Sequence, residues 1–225
     1  MDEDNDLLIN DDKHQAGLCS AIFAYLDSID KRLSNKLIHS DNQALGYLLF
    51  IFAFTFNRVR IVFPILLCGF IGYLGYNNML IVNGYKPLAE KEATQELTSN
   101  LGLVFLVQYA LCLLAMVLCT QVLKYTIRRQ RPSTIPGTYR LVDMRSCEDG
   151  TFSMPSGDSS AAAVFCCLVA YEMQAPLVYI ILPLVMAGRV YYQCHWFGDT
   201  IAGVFIGTFW GIVFIAYFNS MLPLW

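Results

Sequence analysis

The stretch MPSGDSSAAAVFCCLVAYEM, residues 154–173, joins two kinds of sequence in one run. Its first residues read as the start of a helix. Ser156 stands where an N-cap belongs, and Gly157 lets another group approach the backbone closely. The free N–H groups of a helix start bind anions. The residues after Ser159 are apolar, as a segment entering lipid must be. Asp158 lies at the boundary, where a carboxylate is costly and calls for a function.

Working outward, Gln-Ala-Pro at 174–176 breaks the apolar run, and Pro176 fits the start of a second segment that reaches Gln193. A membrane-spanning helix needs about 20 predominantly apolar residues. Residues 101–123 and 200–222 meet this, and 61–82 meets it with Asn77 and Asn78 near one end. With 159–173 and 175–193 these make five spans. Residues 44–56 are apolar but too short to cross a ~30 Å core at ~1.5 Å per residue. They predict a re-entrant or interfacial helix, with a sixth span as the alternative. The expected fold is therefore all-α, a polytopic transmembrane bundle of five or six spans. Composition agrees: of 225 residues, 56% are hydrophobic and 15% charged, and the mean hydropathy is +0.47. No strand pattern or internal repeat is present. The polar stretch 83–100 reads as a helix-friendly loop, and 124–155 as a longer loop ordered by turns.

The net charge of −3 argues nothing about nucleic acid, but no block of like charge is long enough for a nucleic-acid tail, and no nucleic-acid partner is expected. Eight Cys without a C-x-x-C pair exclude a zinc site or disulfide framework of the usual spacing. The acidic start, MDEDNDLLINDD, lacks the basic and apolar parts of a signal segment and reads as a short disordered tail. After it, Leu18, Ile22, Leu26, Ile29, Leu33 and Leu37 recur at helical spacing. They predict an amphipathic helix, lying along the membrane surface or docked on the bundle. The division is thus 1–40, tail and amphipathic helix, and 41–225, the membrane-embedded domain.

The charged residues near the spans carry the chemistry. Lys124 ends one span, and Arg128, Arg129, Arg131 and Pro132 follow. Taken singly, each cation reads as a snorkelling or positive-inside residue. Arg189 lies inside an apolar segment, and Cys194-His195-Trp196-Phe197-Gly198-Asp199 opens the next. His195 and Asp199 are four apart, so an early helix start would put them on one face, with the carboxylate holding one imidazole tautomer. Because spans alternate in direction, the 124–155 loop and the 194–199 turn fall on the same side of the membrane. Two guanidinium groups and an ammonium then form a clamp for phosphate oxygens, beside a helix N-terminus and an imidazole competent to attack phosphorus.

These residues resemble the type 2 phosphatidic acid phosphatase superfamily, which includes lipid phosphate phosphatases and soluble vanadium haloperoxidases. Its first motif, K-x6-R-P, matches Lys124 to Pro132. Its second, P-S-G-H, matches Pro155, Ser156 and Gly157. Its third, S-R-x5-H-x3-D, matches Arg189, His195 and Asp199. The chain departs at Gly188, where Ser is usual, and at Asp158, where His is usual. The resemblance implies an integral-membrane phosphatase acting on lipid phosphates such as phosphatidic acid, a sphingoid-base phosphate or a polyprenyl diphosphate. His195 would form a phosphohistidine and Asp199 would orient it. Lys124, Arg131, Arg189, Ser156 and the Gly157 N–H would hold the phosphoryl oxygens. No metal or cofactor is implied. A transferase using an alcohol in place of water is a close variant.

In the family, the His at the Asp158 position is thought to protonate the leaving group. Three readings of Asp158 follow. It is itself the acid, against the pull of the helix start and the arginines. Or the substrate is a diphosphate, whose phosphate leaving group needs little help. Or the chain is an inactive relative that binds a lipid phosphate. The expected partners are membrane lipids and the substrate, in an endomembrane or the plasma membrane. Arg counting favours a cytosolic site, whereas the resemblance leans towards a lumenal or external one.

Overall fold

The computed structural model describes residues 3–58, 91–135, 138, 140–145, 150–172 and 174–221. These form six α-helices and one short 3₁₀ turn, without a strand among the described residues: α1 (Glu3–Ile38), α2 (Gln43–Arg58), α3 (Lys91–Ile127), α4 (Gly157–Glu172), the 3₁₀ turn (Pro176–Ile180), α5 (Ile181–Tyr191) and α6 (Phe197–Met221). The expected span at 61–82 lies outside the described residues.

The expected span at 101–123 is the later part of α3, whose helix begins ten residues earlier, at Lys91. The described part of the 83–100 loop is therefore helix. Its Lys, Glu, Ala and Gln content favours that outcome, and an attached apolar helix removes the cost of nucleation. Among the described residues, two segments are long and apolar enough to cross a bilayer, Phe105–Ile127 with 23 residues and Phe197–Ser220 with 24. At ~1.5 Å per residue each exceeds the ~30 Å hydrocarbon core. Their outward stripes stay apolar: Val107, Leu111, Leu114, Leu118 and Val122 on α3, and Phe205, Phe209, Val213 and Tyr217 on α6, are all exposed. Spacings of three and four keep each stripe on one side, as a lipid-facing surface requires.

The centre of the bundle is α4. Every residue from Asp158 to Val169 is buried. It packs against α6 through small residues, where van der Waals fit replaces the hydrophobic drive that lipid removes. Gly203, Gly207 and Gly211 recur every fourth residue on that face. A Cβ on Gly203 or Gly207 would run into the backbone carbonyl of Ser156 or Ser160, and one on Gly211 would lie 2.7 Å from Cys167 Cβ. The other side of α4 meets α2, where Phe56 sets its ring edge against Phe165. The 16-residue α2 also buries Leu49 and Ala53, while Tyr47, Leu48, Ile51 and Phe54 remain exposed.

Gly188 belongs to the same kind of packing. A Cβ there would meet Ala53 Cβ at 2.9 Å and the Leu49 carbonyl at 3.0 Å. Close approach of α2 to α5 thus accounts for glycine at a position where the motif has serine.

The acidic start, expected to be a disordered tail, is helical from Glu3 and continuous with the amphipathic segment. Against the bundle, α1 docks a polar edge: Asp30 is largely covered, and Ser34 and Ile38 are buried. Ile22, Phe23, Tyr25, Leu26 and Leu33 are exposed.

Gly207→Ala tests the α4–α6 contact. Helix propensity alone would make Ala more stable than Gly by ~1 kcal/mol. The clash with the Ser160 carbonyl should reverse the sign and lower the thermal midpoint in detergent, by about 1–3 kcal/mol of stability. A rise in the midpoint would contradict the packing.

Candidate active site

One end of the bundle gathers the C-terminus of α3, the N-terminus of α4, the C-terminus of α5 and the N-terminus of α6. The join is a backbone hydrogen bond: the Ser156 N–H donates to the Asp199 carbonyl at 2.9 Å. Ser156 is buried and caps α4 as the sequence predicts, its Oγ accepting the Ser159 N–H at 3.3 Å. Gly157 is the first residue of α4, half-buried beside it.

The chain leaves α5 through Gln193, whose φ of 59° turns it back sharply. The Cys194 N–H returns to the Arg189 carbonyl at 3.0 Å. His195 then enters the interior with 1% of its surface exposed. Its Nδ1 is 2.8 Å from the Ser153 carbonyl. A carbonyl only accepts, so Nδ1 carries the proton and Nε2 presents its lone pair. Arg131 Nη1 faces that lone pair at 3.3 Å. The same guanidinium is fixed by the Cys194 carbonyl at 2.6 Å, the Thr151 carbonyl at 3.1 Å, Thr151 Oγ1 at 2.8 Å and the Phe152 carbonyl at 3.1 Å.

Asp199 is fully buried in the first turn of α6. Oδ1 accepts from Arg129 Nη1 at 2.6 Å, and Oδ2 accepts the Trp196 N–H at 2.9 Å. Oδ2 also lies 3.8 Å from His195 Nδ1. That is a charge nearby rather than a short hydrogen bond. The sequence expects the carboxylate to hold the tautomer; the short contact to Nδ1 comes from the Ser153 carbonyl, with Asp199 next to it. Sequence spacing could not show this, because the group is main chain and 42 residues away.

Asp158 faces Arg189. Its Oδ2 is 2.9 Å from Arg189 Nη2, with both side chains inside the protein. Arg189 Nη1 also lies 3.9 Å from Met144 Sδ. Lys124 sits half-buried in the last turn of α3, seven residues before Arg131. The structure thus brings Arg131 to His195, Arg189 to Asp158 and Ser156 to Asp199, with Lys124 at the same end of the bundle.

Arg129, which the sequence treats as one cation among several, is a junction. Its Nη2 pairs with Asp27 at 2.6 Å and Asp30 at 2.7 Å, while Nη1 holds Asp199. Burial alone would ease proton loss from Arg129, but Asp199, Asp30 and Asp27 outweigh it and hold the guanidinium above its ordinary value. For Asp27, burial pushes the carboxyl up, and Lys31 and Arg129 more than offset this, leaving it below its usual value. The start of α6 is capped from α1 as well: Asp30 Oδ1 accepts the Gly198 N–H and Ser34 Oγ the Phe197 N–H, each at 2.8 Å. Asp27, Asp30 and Ser34 share one face of α1 by their spacing, the one signal that could have marked them.

A family model described as the PAP2 superfamily matches residues 105–221, which include all eight candidate residues. The chain belongs to the PAP2 superfamily. Its fold is similar to that of the transmembrane PAP2-type phosphatidylglycerolphosphate phosphatase from Bacillus subtilis, with 20% identity, a TM-score of 0.58 and 88% of each chain covered. It is also similar to LpxE from Aquifex aeolicus, with 17% identity, a TM-score of 0.53, and coverage of 83% of this chain and 94% of that one. No curated protein sequence matches it. With its apolar helices and this fold, the chain is a membrane protein.

The Asp27 pair predicts how α1 responds to acid. A carboxyl held below 3.8 contributes stability that is fully present above 3.8 and lost as pH falls through its lower folded value. Trp196, with Lys31 and Arg129 over its ring, reports the dock. In a protein with Trp210 and Trp225 replaced by Phe, its emission should be constant from pH 7 to about 4 and change below that. A change centred near pH 6 would contradict this assignment.

Proposed function

We propose that this protein is an integral-membrane phosphatase that hydrolyses lipid phosphates through a phosphohistidine on His195. The observation that carries the reading is the 2.8 Å contact of His195 Nδ1 with the Ser153 carbonyl. With Nδ1–H given to the Ser153 carbonyl, the Nε2 lone pair is the nucleophile. It lies beside a guanidinium already at hydrogen-bond distance, near the capped tip of α4. In the reaction, Nε2 bonds to phosphorus as the bond to the leaving oxygen breaks. Water then attacks the phosphohistidine, releasing phosphate and restoring the imidazole. Arg131, Arg189, Lys124, Ser156 and the Gly157 N–H are the candidates to hold the phosphoryl oxygens, where charge accumulates in the transition state. Asp199 supports the imidazolium side.

Asp158 narrows the substrate. A carboxylate engaged by a buried arginine at 2.9 Å is turned to that cation and is poorly placed to protonate a leaving group. An alkoxide leaves poorly without a proton, whereas a phosphate leaves readily. The pair therefore favours lipid diphosphates over monophosphates, and it speaks against Asp158 as the acid. The same pair also occupies Arg189, which favours a second reading: a relative that binds lipid phosphate without cleaving it. The exposed apolar face of α1, with Ile22, Leu26 and Leu33, fits a helix seated on the bilayer beside this site.

Purified protein in mixed micelles should release phosphate faster from a polyprenyl diphosphate than from phosphatidic acid or a sphingoid-base phosphate. His195→Ala should reduce release by about a thousandfold or more. Asp158→His, which restores a group able to give a proton, should raise the monophosphate rate relative to the diphosphate rate. Wild-type turnover in His195→Ala would remove the nucleophile assignment. Binding without release from any of the three substrates would favour the non-catalytic reading.

A further inference from the structure

The matched core begins at residue 105, so α1 lies outside it. Yet α1 reaches the catalytic end through one arginine. Arg129 has two donor edges, and each is engaged: Nη1 on Asp199 at 2.6 Å, Nη2 on Asp27 and Asp30 at 2.6 and 2.7 Å. Planar guanidinium geometry lets one edge be held while the other acts. Asp199 in turn stands behind the His195 ring. The dock is fitted sterically as well: a Cβ on Gly198 would lie 2.7 Å from Asp30 Oδ2. Asp30 and Ser34 also hold the first two N–H groups of α6.

We propose that Arg129 is a positioning residue for Asp199 and His195, and that α1 holds it in place through Asp27 and Asp30. The proposal rests on the reading of His195 as nucleophile. Arg131 and Arg129 thereby divide the work: the first faces the attacking nitrogen, the second acts from behind through the carboxylate. Without the α1 carboxylates, Nη2 loses both anionic partners and the guanidinium is free to leave Asp199. The Asp199 charge is then less balanced, and the imidazole it faces is held in a different field and orientation. The substrate's own contacts lie elsewhere, so the effect falls on turnover and not on binding.

The test is the double variant Asp27→Asn/Asp30→Asn, compared with Arg129→Met and Arg129→Lys, in the full chain in lipid nanodiscs. Two readouts are taken. With the preferred diphosphate, the double variant and Arg129→Met should each lower kcat about tenfold while KM stays within about twofold, as for other residues that orient a reacting group from behind. Arg129→Lys should recover part of the loss, since one ammonium reaches Asp199 but cannot also bridge to α1. Independently of activity, NMR of protein labelled in its three histidines, with the His195 signal identified by its loss in His195→Ala, should show a shifted His195 imidazole in the double variant. An unchanged His195 signal overturns the proposal, whether or not phosphate is released. So does wild-type kcat in the double variant, or a kcat loss that only follows a fall in the melting temperature. Should wild type release no phosphate at all, the phosphatase reading fails, and the His195 signal alone decides the role of Arg129.

Discussion

Everything at the catalytic end depends on how closely α4 and α6 approach. Three glycines spaced by four residues let the α6 backbone lie against the small side chains of α4. That approach allows the Ser156 N–H to reach the Asp199 carbonyl. A bulkier seam would move the two helix tips apart, and each holds part of the candidate site: the capped turn on α4, and Asp199 on α6. Packing without a hydrophobic drive, which helices in lipid must manage, and assembly of the reactive groups are here the same contact.

Around that seam every buried charge is given a partner. Arg131 rests on main-chain carbonyls, Arg189 on Asp158, and Arg129 on three carboxylates. Burying such groups unpaired would cost several kcal/mol each. The pairing also has a chemical consequence. On the proposed reading, the cations that would meet a phosphate already have partners, and a substrate would compete for them. Arg189 is held by a full negative charge, and its exchange is harder.

The sequence made much of this legible. Apolar length marked α3 and α6, the Gln-Ala-Pro break separated α4 from α5, and the Ser-Gly turn marked the cap. The motif spacing from Lys124 to Asp199 marks the eight candidate residues. Its failures have a common cause. The Ser153 carbonyl is main chain, and main-chain acceptors carry no sequence signature. The Asp158–Arg189 pair and the Arg129 junction join residues far apart in the chain, and one sequence gives only short-range periodicity. The polar edge of α1 was visible as charge between leucines, but a solvated face and a docked one look alike in sequence. Residues 91–100 read as a helix-friendly loop and the acidic start as a disordered tail, yet both are helix, because a helix extends cheaply from a neighbouring helical segment once that has formed. The glycines at 203, 207 and 211 were in plain view and needed only the spacing to be counted.

The most direct measurement is rapid-quench trapping of the phosphoenzyme with a lipid diphosphate labelled at its terminal phosphate. The account predicts a label that is stable to alkali and labile to acid, located on His195, formed before phosphate is released and absent from His195→Ala. Phosphate release at full rate with no labelled protein at any time, or a label that persists in His195→Ala, would contradict it.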